Sequence, residues 1–161
     1  MATPMDTGIS AKDRAAIAKG LSRLLADSYL LYLKTHNFHW NVEGVEFPQY
    51  HAFFGEMYDD VYGAVDPLAE NIRKLDAYAP RTLEEMWNHK TVTEASEDMV
   101  ELKDVLTDIK KTNQEVIASL TKAFSLAQKN NKQGLCNFLA DRIDTHEKHD
   151  WMLRVSLKGT K

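Results

Sequence analysis

Residues 47–75 read FPQYHAFFGEMYDDVYGAVDPLAENIRKL, and the fold and the chemistry of the chain both turn on how this stretch is read. Pro48 stands where the first turn of a helix tolerates a missing N–H, and apolar residues recur at three- and four-residue steps as far as Leu75. Pro67 removes the bond to the carbonyl of Gly63, so the spacing predicts a mild kink there and not a stop, because the pattern resumes at Leu68 and Ile72. The same stretch carries His51, Glu56, Asp59, Asp60, Asp66 and Glu70. Asp66 and Glu70 are one helical turn apart and share a face, so their carboxylates can hold one metal ion. His51 lies on a similar face, offset by about 60°, but roughly 22 Å away along the axis. No single ion reaches both ends of one straight helix. A two-fold axis resolves this: if the helix pairs antiparallel with its copy, His51 of one chain meets Asp66 and Glu70 of the other. The dyad then crosses near residues 60 and 61, beside the small Gly63 and Ala64, and the isologous dimer carries two identical sites.

Outward from this stretch, glycine and proline are scarce and fall between segments. Ser10 is placed to cap a first helix whose apolar face runs through Ile17, Leu21, Leu24, Leu25, Tyr29, Tyr32 and Leu33. That helix ends around Asn41–Gly44. Ala79-Pro80 ends the second. Thr82 with Glu85 is a capping-box signature for a short helix over Leu83 to His89. A third long helix is expected over Ser96 to Lys129, a turn over Asn130–Gly134, and a fourth helix over Leu135 to Leu157. No segment alternates with a strand period. The expected fold is all-α, a four-helix bundle with a short extra helix in the lengthy connection between helices two and three. That connection makes two long helices run parallel, as in ferritin-like topology. The expected organisation is a tail over residues 1–9, the bundle over 10–157 and a short tail over 158–161.

Hydrophobic residues make up 43% and charged residues 27% of the 161-residue chain, which suits one soluble domain with a real core. The single cysteine, Cys136, excludes an internal disulfide and a cysteine-based zinc cluster. No apolar run reaches the length of a membrane span, and Met1–Ser10 lacks the layout of a signal peptide, so a cytoplasmic location is expected. The formal net charge of −4 is poor footing for neutralising phosphates. Only Lys12 and Arg14 near the start, and Lys158 and Lys161 at the end, offer a basic patch. DNA binding, and any nucleoid association through it, is therefore expected to be weak.

The candidate ligands fall in two places: His36, His39 and Trp40 end the first helix, and the histidine and carboxylates of residues 51–70 lie on the second. Imidazole with carboxylate suits iron, manganese or zinc. Taken singly, such residues on an amphipathic helix are more often solvated than metal-bound, and Phe38, Phe47, Tyr50, Phe53 and Phe54 are ordinary core material. The run His146-Glu147-Lys148-His149-Asp150 fails the zinc-protease pattern, which requires histidine at 150. No Glu-x-x-His is present, so the within-chain di-iron pattern is missing.

The segment Lys34 to Gly44 (KTHNFHWNVEG), with Phe47, His51 and Asp66-Pro67-Leu68-Ala69-Glu70, closely resembles the Dps miniferritins, and His146-Glu147-Lys148 followed by Trp151 to Arg154 resembles their last helix. The resemblance covers nearly the whole chain after the first ten residues. It implies a dodecameric shell around an iron-mineral cavity, with ferroxidase sites at the two-fold interfaces. By that resemblance His39 and His51 come from one subunit and Asp66 and Glu70 from its partner. Trp40 matches a tryptophan beside the site that quenches stray oxidising equivalents. The resemblance further implies that Fe(II) is oxidised by hydrogen peroxide in preference to oxygen.

Two departures stand out. The family usually places a carboxylate four residues after the second histidine, where this chain has Gly55. Glu56 is about 140° around the helix from His51, and Asp59 lies roughly 12 Å along it. His36, Glu56 and Asp59 are the candidates for completing a second metal position, and Gly55→Asp is expected to raise affinity for a second ion. Asn137 stands where the family has an acidic residue at its iron-entry pore, leaving Asp141 and Asp144 to supply negative potential there. Two other readings remain: a DNA-compacting structural cage, and a metal-binding cage that oxidises iron poorly because of Gly55.

Overall fold

The computed structural model describes residues 7–158, so parts of both expected tails lie outside the described residues. Among the described residues there are six helices and no strand: α1 (Ala11–Asn41), α2 (Phe47–Gly63), α3 (Val65–Arg73), α4 (Leu83–His89), α5 (Leu102–Lys129) and α6 (Gln133–Ser156). Short turns make α1 and α2 one antiparallel hairpin and α5 and α6 another, and α1 also packs against α5. The long connection between the hairpins, with α4 inside it, lies against α1. The all-α bundle is the expected one.

Sequence signals set most boundaries. The Ser10 hydroxyl accepts from the Asp13 amide at 3.1 Å and caps α1. Thr82 caps α4 by accepting from the Glu85 amide at 3.1 Å. The reciprocal half of that capping box is shifted by one residue, because Glu85 accepts from the Arg81 amide, at 2.7 Å.

Three boundaries differ from expectation. The second long helix is interrupted at Ala64, whose N–H bonds back to the Val61 carbonyl at 3.2 Å in a tightened turn. Pro67 then sits in the first turn of α3, where no N–H is required of it, so the kink falls three residues earlier than the proline itself. Ser96 opens a turn, with the Met99 amide bonded to its carbonyl at 3.2 Å, and α5 begins only at Leu102. That delay lets Ala95 and Met99 pack onto the core. The last interhelical turn spans 130–132, not as far as Gly134, which is already helical. Asn131 takes the left-handed conformation itself, at φ 54°, so no glycine is needed there.

The core is a single apolar cluster drawn from every long helix, including Leu21, Leu25, Leu31, Phe54, Met57, Leu68, Ile72, Leu106, Ile109, Leu120 and Leu139. Two buried charges cross it. Lys34, only 3% exposed, reaches from α1 to Thr112 at 2.8 Å and Asp108 at 2.9 Å on α5. Asp27, fully buried on α1, takes the Thr91 amide at 2.6 Å, the Thr91 hydroxyl at 2.7 Å and the Val92 amide at 3.2 Å. This carboxylate fastens the long connection to the bundle, and with it Val92 is buried. Among the described residues no helix is long and apolar enough to cross a membrane.

Replacing Asp27 with Ala strands the buried Val92 donor and leaves the part-buried Thr91 donors without their partner. Stability should fall by about 2–3 kcal/mol, read as a lower thermal midpoint with the helical circular-dichroism signal retained at room temperature. An unchanged midpoint would show that the connection is held by something other than this carboxylate.

Candidate metal centre

The last turn of α1 leaves carbonyls without an intrahelical partner, and five residues separate its end from the first turn of α2. Two histidines close this corner on each other. The Nδ1 of His51 lies 2.8 Å from the His39 carbonyl oxygen, and the Nδ1 of His39 lies 2.6 Å from the His51 carbonyl oxygen. The rings stack at 3.7 Å with 21° between their planes. A carbonyl oxygen only accepts, so each Nδ1 must carry a proton. In the neutral rings both lone pairs then belong to Nε2, and no hydrogen bond engages either Nε2 among the described residues. Two half-buried imidazoles are thus held side by side, each with its ligating nitrogen free.

Gly55 is what permits this. A Cβ at that position would stand 3.3 Å from His39 Cε1 and 3.4 Å from His39 Nδ1, so any side chain there forces the imidazole to give by a few tenths of an ångström. An aspartate at 55, expected to add a ligand, would also require the His39 ring to give by a few tenths of an ångström.

The neighbouring candidates divide by face. His36 stacks on Tyr58 at 4.0 Å, lies 4.1 Å from Trp40, and pairs its Nδ1 with the Tyr32 hydroxyl at 3.2 Å. Burial, then the nearby His39, holds the His36 pKa below the usual value, against the pull of Asp59. Trp40 is 58% exposed. Asp59 is exposed and close enough to Tyr32 and His36 to be felt by both. Glu56 borders a groove with Phe53 and Trp151, on the α6 side of α2.

Asp66, in the first turn of α3, and Glu70, one turn later, are both exposed. Among the described residues, no three histidine, cysteine, aspartate or glutamate side chains of this chain converge on one point. His39 and His51 are brought together; Asp66 and Glu70 share their own turn of helix and do not join them. Asp141 and Asp144 are exposed on α6.

Sequence reading missed a second polar cluster. Asp60 on α2 accepts two bonds from Arg142 on α6, at 3.1 and 2.8 Å, with His149 Nε2 at 3.7 Å from the same carboxylate. His146, 1% exposed, pairs its Nδ1 with Asn113 Oδ1 at 2.7 Å and sits 3.3 Å from Arg142. The signal was available: residues 142, 146 and 149 fall on one face of a helix. Burial, then the Arg142 charge, pushes His146 down to about 3, and burial pushes His149 down to about 4 although Asp60 works against it. Burial alone would raise the Asp60 carboxyl, but the Arg142 hydrogen bonds and charge outweigh it and hold the group below its usual value.

The family of ferritin-like domains matches residues 18–161. The chain belongs to the ferritin-like family. Within it, the kinship is with the Dps miniferritins. A protein of Bacillus anthracis named "DNA protection during starvation protein 2" is 31% identical over 142 residues, which cover 85% of this chain and 93% of the relative. The crystal structure of antigen TpF1 from Treponema pallidum is 30% identical and superposes with a TM-score of 0.88, covering 93% of this chain and 96% of that one. A Dps protein from Vibrio cholerae, described as a member of a broad superfamily of ferritin-like diiron-carboxylate proteins, covers 98% of both chains at 27% identity and TM-score 0.89. At the level of the family, this places the Dps chain among iron-storing cages.

The buried histidines make stability depend on pH with a definite sign. An unfolded histidine takes up a proton near 6.5, whereas the folded chain keeps His149 and His146 neutral until about 4 and about 3. Between those limits the unfolded state binds more protons, so stability falls as pH drops from 6.5 towards 3 and is indifferent to these groups above 7. Thermal midpoints measured across this window should show the slope, and His149→Gln should flatten part of it. For Gly55, the expected result of Gly55→Ala is a several-fold loss of Zn(II) affinity by calorimetry. Gly134→Ala, where an added Cβ meets nothing within 4 Å, should leave that affinity unchanged.

Proposed function

We propose that this chain is the subunit of a dodecameric cage that oxidises Fe(II), with hydrogen peroxide preferred over oxygen, and stores the Fe(III) mineral. Each site is built from His39 and His51 of one subunit with Asp66 and Glu70 of its dyad partner. The observation that carries this reading is the mutual clamp of His39 and His51, which stacks the two rings and leaves each Nε2 without a hydrogen bond among the described residues. The exposed carboxylates of Asp66 and Glu70 lie roughly 22 and 28 Å along the α2–α3 axis from His51, so a second subunit must bring them. Two imidazoles and two carboxylates suit Fe(II), and also Zn(II) or Mn(II).

In this reading the histidines orient the bound Fe(II), and the partner's carboxylates neutralise its charge and hold it as it becomes Fe(III). With two Fe(II) supplied, one peroxide takes two electrons and two protons are consumed, giving two Fe(III) and two waters, and no hydroxyl radical is released. Trp40, exposed beside the site, is placed to intercept a stray oxidising equivalent. Gly55 supports a firm first metal position with a weaker, transient second one, because the side chain that would complete the second position is replaced by the packed His39 ring. Asp141 and Asp144 serve as the negative lining of the iron-entry pore. With a formal charge of −4, DNA binding is weak at physiological salt and the site of action is the cytoplasm.

Complementation tests the shared site. His51→Ala cages and Asp66→Ala cages should each lose peroxide-driven Fe(II) oxidation. Cages reassembled from a mixture should regain activity, because every mixed dimer keeps one site with both a native His51 and a native Asp66. Mixed cages no more active than their parents would sink the intersubunit arrangement.

A further inference from the structure

Four tyrosines gather along the seam between α1 and α2, and the metal chemistry described above does not use them. The His39 ring meets Tyr58 edge-on at 5.1 Å. Tyr58 lies 6.2 Å from Tyr32, and Tyr32 lies 4.8 Å from Tyr62 and 5.7 Å from Tyr29. His36 is the hub: it is stacked on Tyr58 at 4.0 Å, lies 4.1 Å from Trp40 and 5.5 Å from Tyr32, and pairs its Nδ1 with the Tyr32 hydroxyl at 3.2 Å. Tyr32 packs against the edge of the core, Tyr29 and Tyr58 are half-buried, and Tyr62 is 54% exposed. A phenol gives up an electron readily only when its proton has somewhere to go, and His36 is the acceptor in contact with Tyr32.

From this geometry we infer that Tyr32 and His36 form a redox couple, and that Tyr58, Tyr32 and Tyr62 carry oxidising equivalents away from the metal centre and Trp40 along the α1–α2 seam. The inference rests on the proposed iron chemistry for the source of those equivalents, but its wiring is a property of the metal-free chain. When a hydroxyl radical forms from peroxide at the site, an electron passes to it from Tyr32 through Tyr58 and the His39 edge. The radical takes that electron and a solvent proton and becomes water. The Tyr32 phenolic proton moves to His36 Nδ1, leaving a tyrosyl radical. A further Fe(II) then supplies an electron to the tyrosyl, becoming Fe(III), while His36 returns the proton. The sum is one hydroxyl radical, one Fe(II) and one proton converted to one water and one Fe(III). An escape that would damage bystander molecules is thereby turned into iron oxidation.

The test begins on the metal-free assembled protein carrying Trp87→Phe and Trp151→Phe, so that Trp40 is its sole tryptophan. Azidyl radicals generated by pulse radiolysis oxidise Trp40, and transient absorption follows the tryptophanyl signal. Its decay should be matched by growth of a tyrosyl signal at a rate independent of protein concentration. Tyr32→Phe, which keeps the ring and its packing, should slow that transfer at least tenfold. His36→Phe, which keeps a stacked ring but offers no proton acceptor, should slow it too and abolish its solvent isotope effect. A tryptophanyl lifetime unchanged in both variants overturns the relay. A second measurement adds Fe(II) and then peroxide to the native cage, with freeze-quenched electron paramagnetic resonance and a spin trap. Tyr32→Phe should lose the tyrosyl signal and release several-fold more hydroxyl radical while iron oxidation proceeds at its normal rate. Iron oxidation with no tyrosyl radical overturns the relay and leaves the ferroxidase reading standing. Transfer in the metal-free protein without iron oxidation by peroxide does the reverse.

Discussion

Everything at the candidate centre depends on two hydrogen bonds that run in opposite directions between the same two residues. Each imidazole gives its Nδ1 proton to the other's backbone carbonyl. The bond from His51 satisfies a carbonyl that the end of α1 leaves open, and the bond from His39 fixes the start of α2 against it. The α1–α2 corner, the ring tautomers and the direction of both Nε2 atoms are therefore one constraint. Gly55 belongs to it as well, since the His39 ring occupies the space that any other residue's Cβ would claim.

Away from that corner the bundle is an apolar core crossed by a few charged ties, each joining α1 or α2 to a distant part of the chain. Asp27 holds the long connection, Lys34 reaches α5, and Asp60 holds Arg142 of α6. Such ties contribute little net stability over an apolar packing, but they favour one register, because losing a partner leaves a buried or half-buried charge without its hydrogen bonds. They keep α1 and α2 in a fixed relation to the second hairpin while the face bearing Trp40, Asp59, Asp66 and Glu70 stays open.

The helical architecture was legible in the sequence because long amphipathic periodicity and two good caps, Ser10 and Thr82, point the same way. Where the reading slipped, tertiary contacts had overruled a local signal. The third long helix is expected from Ser96, yet Met99 is drawn to the core and the helix starts later. Gly134 looks like a turn, yet Asn131 bears the positive φ. The pairing of His39 with His51 was implied by the family resemblance, but not their mutual tautomer lock, because a histidine bonding to a backbone carbonyl leaves no trace in residue identity. Gly55 read as a missing ligand. Only the three-dimensional arrangement reveals it as the floor on which a ligand rests. The Asp60–Arg142–His146–His149 cluster went unread because its members are split between helices far apart in the chain.

The double role of the histidine pair also bears on how such a protein ages and varies. In many metal sites a ligand can be lost while the fold stays sound, and the cell accumulates a well-made but useless protein. Here the side chains proposed to bind metal are also the side chains that close the helix corner. Losing either one frees a backbone carbonyl and loosens the hairpin along with the chemistry. Defective copies are thus also the ones most exposed to proteolysis, and the cell's ordinary surveillance of folding becomes, at this corner, a surveillance of function.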